Sequence, residues 1–97
     1  MTRLIADIGG TSVRLAHQHG DDDALCDPAV LACADFATVD DAFADYCAKH
    51  KLEIDMLCLA VAGPVTGPQV DITNNHWQFD AGKVAAAMNV RAYLLIN

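Results

Sequence analysis

The sequence predicts an α/β fold: a five-stranded mixed sheet in the spatial order 3-2-1-4-5, counting strands along the chain, with helices packed on it. Three observations carry this prediction. Gly9 and Gly10 join two β-prone arms, Leu4–Ile8 and Ser12–His17, and a Gly-Gly link marks a hairpin because type I′ and II′ turns need positive φ. Two helical stretches then alternate with two apolar runs of strand length, so the later strands cross over to lie parallel to the first. The hairpin occupies one side of the first strand, which leaves the other side for the fourth.

Each element has its own local signal. A third strand is expected over Val30–Phe36, where Val30, Ala32, Ala34 and Phe36 alternate with Leu31, Cys33 and Asp35. The connection before it holds Gly20, the run Asp21-Asp22-Asp23 and Pro28. The aspartates read as a solvated turn, since a calcium loop needs alternating ligands and a closing Glu. Thr38 opens a helix with Asp41 three residues on, and Val39, Ala42, Phe43, Tyr46, Cys47 and His50 form one apolar stripe. Met56–Ala62 is a continuous apolar run suited to a strand covered on both faces. Pro64, Gly67 and Pro68 break it. Val70–Thr73 is expected to be a short exposed strand or turn, and "NNHWQF" follows, in which His76 and Trp77 could stack on a sugar, but Trp77 and Phe79 are rather expected to cover the sheet edge while Asn74 and Asn75 shape a turn. Asp80 caps a second helix with Val84, Ala85 and Met88 inward and Asn89 at its end, and Ala92–Ile96 is the last strand.

Composition bounds what the chain does. Its 97 residues make one small domain, and 54% hydrophobic with 20% charged residues is a globular balance. A net charge of -7 with no Lys/Arg cluster argues against nucleic acid. No apolar run approaches the roughly 20 residues of a membrane span, and Met1 leads almost directly into the first strand, which leaves no room for a secretory signal. A cytoplasmic location is therefore expected. The four cysteines, at positions 26, 33, 47 and 58, lack metal-ligand spacing and read as buried free thiols of a reducing compartment. His17 and His19 share no ligand spacing with a cysteine and read as surface residues.

The chemistry converges on one edge. In open α/β sheets, ligands bind outside the carboxyl ends of parallel strands. Those ends here are Asp7-Ile8-Gly9-Gly10-Thr11, Ala62-Gly63-Pro64 and Ile96-Asn97. Bare glycines at a hairpin tip let backbone N–H groups approach a phosphate, and Thr11 and Ser12 add hydroxyl donors. Asp7 suits Mg²⁺ beside the phosphates, directly or through water. No Gly-Lys-Ser/Thr follows and no helix opens there, so this is not a P-loop. Taken alone, the pair is equally a plain hairpin beside an incidental aspartate.

"DIGGTSVRL" resembles the first phosphate motif of the superfamily of sugar kinases, heat-shock ATPases and actin. Together with "AVAGPVTG", "ITNNHWQF" and "LLIN", in that order along the whole chain, it resembles the bacterial ATP-dependent glucokinases. The resemblance implies an actin-like ATPase (ribonuclease H-like) fold and phosphorylation of glucose by ATP in a cleft between two domains. Residues 1–97 would be the N-terminal small domain, with a large C-terminal domain outside this chain. It further implies that Asp7 assists Mg²⁺ through water and that Gly9, Gly10, Thr11 and Ser12 meet the ATP phosphates. Gly63 and Pro64 would lie near the sugar, and Asn97 matches the asparagine that bonds sugar hydroxyls. The family's next residue, an aspartate that takes the proton from the attacking hydroxyl, would follow Asn97, so the chain alone is expected to be inactive. Ser12 stands where an Asn is common, and Arg14 is expected to play a structural part along its strand. Self-association, as a homodimer, is also implied. A non-catalytic sugar-responsive regulator and an actin-like assembly module are the alternatives; the "AGPVTG" and "LLIN" pieces favour the kinase.

Overall fold

Seven strands and two α-helices are arranged around β1 (Thr2–Ile8) in the computed structural model, which describes residues 1–62, 67–72 and 75–96. Strands β2 (Ser12–His19) and β3 (Cys26–Ala32) continue from β1 as an antiparallel meander. Helix α1 (Val39–His50) leads to β4 (Met56–Val61), parallel to β1 on its other side. Short strands β5 (Gln69–Asp71) and β6 (Gln78–Asp80) precede helix α2 (Ala81–Ala87), which leads to β7 (Ala92–Ile96), parallel to β4. The sheet order is β3-β2-β1-β4-β7, the expected 3-2-1-4-5 with β7 as its fifth member.

Local chemistry explains the helices. Thr38 Oγ1 accepts the Asp41 N–H at 3.2 Å, satisfying one of the first-turn amides that have no partner within the helix. Lys51, with φ at 54°, ends α1 in the left-handed conformation. Asp80 Oδ1 accepts the Lys83 N–H at 3.0 Å and starts α2 in the same way. Val39, Ala42, Phe43 and Tyr46 of α1 pack with Ala81 and Val84 of α2 against Leu4, Ile8, Val13, Leu15, Leu57 and Leu59 of the sheet. One sheet face is thereby covered. The other keeps Ile5, Asp7, Arg14 and Leu94 partly or fully open to solvent.

Several expectations require correction. The third strand runs over Cys26–Ala32 rather than Val30–Phe36, and Cys33–Asp35 forms a 3₁₀ turn. Pro28 lies inside this strand because β3 is at the sheet edge, where a missing N–H costs no ladder bond. Strand β4 alternates instead of being covered twice: Leu57, Leu59 and Val61 are buried, whereas Met56, Cys58 and Ala60 are half-buried. Residues 78–80 form β6, paired antiparallel with β5 in a separate small sheet, and Val70 and Ile72, expected in an exposed segment, are buried in the core. Trp77 is core, not edge cover, at 2% exposure. The glycine hairpin also forms without the expected positive φ: Gly20 and Gly67 have it, and Gly9 and Gly10 do not.

Candidate functional site

The parallel strands β1, β4 and β7 lie side by side, with Ile8 level with Val61 and Ala60 level with Ile96. Their carboxyl ends therefore open at one sheet edge. The β1–β2 hairpin tip stands there, closed by Gly9 N–H donating to Ser12 O at 2.9 Å. The tip is anchored from three sides. Ala62 N–H donates to Ile8 O at 3.0 Å, Cys33 N–H donates to Thr11 O at 3.0 Å, and Asn75 Nδ2 donates to Gly9 O at 3.0 Å. Each anchor takes a carbonyl. Among the described residues, the amides of Gly10 and Thr11 find no acceptor, so the tip presents donors and consumes acceptors.

Gly9 is not explained by the fold. Its φ is not positive, and a Cβ built on it would meet Ser12 O at 3.4 Å, an ordinary contact. Among the described residues, an alanine would fit the hairpin, so they do not require the bare backbone. Close approach of another molecule is a physical reason for a glycine there.

Asp7 sits two residues before Gly9, exposed on the open face, opposite Arg14 of β2 and Ala60 of β4. Among the described residues, it forms no ion pair with Arg14 or any other cation. The side chain of Arg14, expected to be structural, likewise makes no hydrogen bond or ion pair among them; it borders an open apolar groove of about 360 Å³ shared with Ile5, Leu25 and Val30. Gly63, Pro64 and Asn97, expected near a sugar, lie outside the described residues, as do Thr73 and Asn74.

From Asn75 to Trp77, the described part of the "NNHWQF" stretch supports the edge. Asn75 Oδ1 accepts the Trp77 N–H at 2.8 Å while its amide holds Gly9. The Trp77 indole donates to Phe36 O at 3.1 Å, and His76 Nε2 lies 2.8 Å from the same oxygen. Asn75 shapes the turn as expected. Its grip on the hairpin is a contact that sequence reasoning did not supply.

His19 is exposed, as expected, but His17 differs from expectation. His17 is 5% exposed, not a surface residue. Its Nε2 lies 2.8 Å from Asp27 Oδ2 and its Nδ1 2.9 Å from His19 Nε2. His50 Nδ1 is 3.5 Å from the same carboxylate, and the hydrogen bond from His17 holds the Asp27 carboxyl below the ordinary carboxylate range. The missed signal was His-x-His on a strand, which places both rings on one face. The four cysteines are free, as expected, but only Cys33 is buried; Cys26, Cys47 and Cys58 are half-buried.

The chain's mixed sheet, with helices on one face and a glycine hairpin at the carboxyl edge, superposes on solved sugar kinases of the actin-like ATPase fold. The ROK hexokinase of Thermus thermophilus superposes with a TM-score of 0.71 at 18% identity, over 99% of this chain and 35% of that one. The glucokinase of an Antarctic psychrotroph superposes with a TM-score of 0.90 at 30% identity, over 99% of this chain and 32% of that one. The Glucokinase family model matches residues 4–97. The glucokinase of Hahella chejuensis is 38% identical over 95 residues, which is 97% of this chain and 30% of the relative. That of Pseudomonas paraeruginosa is 40% identical over 97 residues, 97% of this chain and 28% of the relative. The chain belongs to the glucokinase family. It spans less than a third of the length of these curated relatives. Among the described residues, no helix is long and apolar enough to cross a membrane.

Proposed function

We propose that this chain is the N-terminal small domain of an ATP-dependent glucokinase, and that its hairpin tip grips the phosphates of ATP during transfer to glucose. The observation that carries this reading is the bare tip: Gly9 is a glycine the hairpin does not need, beside amides of Gly10 and Thr11 that have no acceptor among the described residues. Such donors are worth most toward charge that develops in the transition state. Thr11 and Ser12 add hydroxyls on the same turn. Gly63, Pro64 and Asn97 are assigned to the sugar side by their match to the family motifs.

An exposed carboxylate with no partner cation among the described residues, three and four positions from the Gly10 and Thr11 amides, suits a hard divalent ion. Asp7 would hold Mg²⁺ through water. Bound there, the ion would neutralise charge on the phosphate oxygens. Asp7 itself fixes that position, and the Asn75 and Cys33 anchors keep the tip from shifting as it works. The same reading makes the intact protein a cytoplasmic enzyme that self-associates.

The test is Asp7→Ala in the intact enzyme, assayed by glucose-6-phosphate formation. An outer-shell metal partner typically contributes about 10- to 100-fold in activity, so kcat should fall by that factor while the KM for glucose changes little. An unchanged kcat at saturating ATP and Mg²⁺ would remove Asp7 from the assignment.

A further inference from the structure

Far from the phosphate edge, at the other end of β2, a second group of side chains has no part in the proposed reaction. His17 lies five residues beyond Ser12, which at about 3.3 Å per residue is roughly 17 Å along the strand. One ring nitrogen each from His17 and His19, together with Cys26 Sγ, lie within 4.8 Å of one another. His17 and Cys26 face each other across the β2–β3 ladder.

We propose that His17 Nδ1, His19 Nε2 and the Cys26 thiolate bind a zinc ion, with water in the fourth position. Two imidazoles and one thiolate form a donor set of the softness that zinc prefers. The two nitrogens already face each other at 2.9 Å. Zinc–nitrogen bonds of about 2.0–2.1 Å at a tetrahedral angle need about 3.3 Å between them, a widening of about 0.4 Å. The sulfur must close by about 1 Å to reach its bond length of about 2.3 Å. His19 is exposed and Cys26 half-buried, so both have room to adjust.

The outer contacts are those of a metal centre. A ligating histidine usually gives its other N–H to a carboxylate or another oxygen. His17 Nε2 meets Asp27 Oδ2 at 2.8 Å, and His19 Nδ1 meets Thr2 Oγ1 at 3.1 Å. The backbone is shaped to allow it. Adjacent strand residues point to opposite faces, so Cys26 and Asp27 would not ordinarily both reach His17. A register shift between Leu15 and His17 sets Asp27 and Pro28 against Ala16 alone, and Asp27 takes φ of 49°. Such a bulge re-aims side chains, and here it brings the neighbouring thiol and carboxylate to one imidazole.

The charges and protons balance. In the metal-free state His17 Nε2–H donates to Asp27, and His19 Nε2–H donates to His17 Nδ1. On binding, His19 moves its proton to Nδ1, facing Thr2, and Cys26 loses its thiol proton to solvent. The thiolate and the Asp27 carboxylate together neutralise the ion.

The experiment is Co²⁺ titration of the chelator-treated intact protein, with Zn²⁺ as competitor. The expected result is a thiolate-to-cobalt charge-transfer band with tetrahedral d–d bands, saturating at one ion and displaced by Zn²⁺. Cys26→Ser should abolish the charge-transfer band, while Cys58→Ser should retain it. Asp27→Asn should weaken binding by about 10- to 100-fold, and His19→Gln, at an exposed position, by at least as much. A charge-transfer band that survives Cys26→Ser in folded protein would overturn the site, as would unchanged affinity in His19→Gln.

Discussion

Replacing Gly9 with alanine separates the two explanations for the glycine hairpin. If Gly9 were structural, the substitution would strain the turn. The geometry says otherwise: φ is not positive and, among the described residues, the new Cβ meets only Ser12 O, at 3.4 Å. At a compatible position, Gly→Ala typically stabilises by about 0.4–1 kcal/mol through the unfolded chain. The unfolding free energy should therefore stay within about 1 kcal/mol of wild type. Phosphate binding should respond quite differently. The methyl group occupies the space through which a phosphate oxygen reaches the tip amides, and a hydrogen bond to a charged group contributes about 1.5–3 kcal/mol. Loss of one such bond corresponds to about a 10- to 100-fold fall in kcat/KM for ATP. The measurements are denaturant unfolding and coupled glucose-6-phosphate kinetics at varied ATP, both on the intact enzyme. Unaltered kcat/KM for ATP would refute the phosphate reading. A stability loss above about 2 kcal/mol, well outside the range for a compatible site, would refute the claim that the hairpin tolerates a side chain.

Two further outcomes follow from the packing. Tyr46 donates its hydroxyl to Asp27 O at 2.9 Å, and burial pushes its pKa up to about 12. The folded state disfavours the phenolate, so stability is full below the ordinary tyrosine pKa of about 10 and is lost as pH rises toward about 12. Tyr46→Phe should cost about 1 kcal/mol at neutral pH and flatten that alkaline loss in unfolding curves; wild-type and variant curves that run parallel there would count against it. The 97-residue chain by itself should self-associate, because edge strand β7 exposes Leu94 and Ile96 at 50% and 51%. Light scattering should show dimers or larger species that Leu94→Asn with Ile96→Asn disperses, whereas a wild-type monomer at high concentration would contradict the expectation.

What the sequence determined by itself was whatever depends on neighbours along the chain. Thr38 and Asp80 each cap a helix through an amide three residues on, so a window of four residues suffices to locate both starts. The apolar stripe of α1 and the alternation of β1 and β2 are likewise local. The sheet order followed because a hairpin blocks one side of β1 and crossovers have one hand. At the carboxyl edge of the parallel strands, Asp7, Gly9, Gly10 and Thr11 could be proposed from the sequence for the same reason: they lie within five consecutive residues. Only the tertiary structure decided the rest. Pro28 argues against a strand until β3 is known to be at an edge. The pairing of Val70 with Phe79 makes a strand of residues 78–80, a segment too short to declare itself. Asn75 reaches Gly9 across 66 residues, and His17 meets Cys26 only because a bulge sets the β2–β3 register. Periodicity states which face a residue occupies. It does not state what stands opposite, because register between strands is set by the packing of the whole sheet rather than by any short window of sequence.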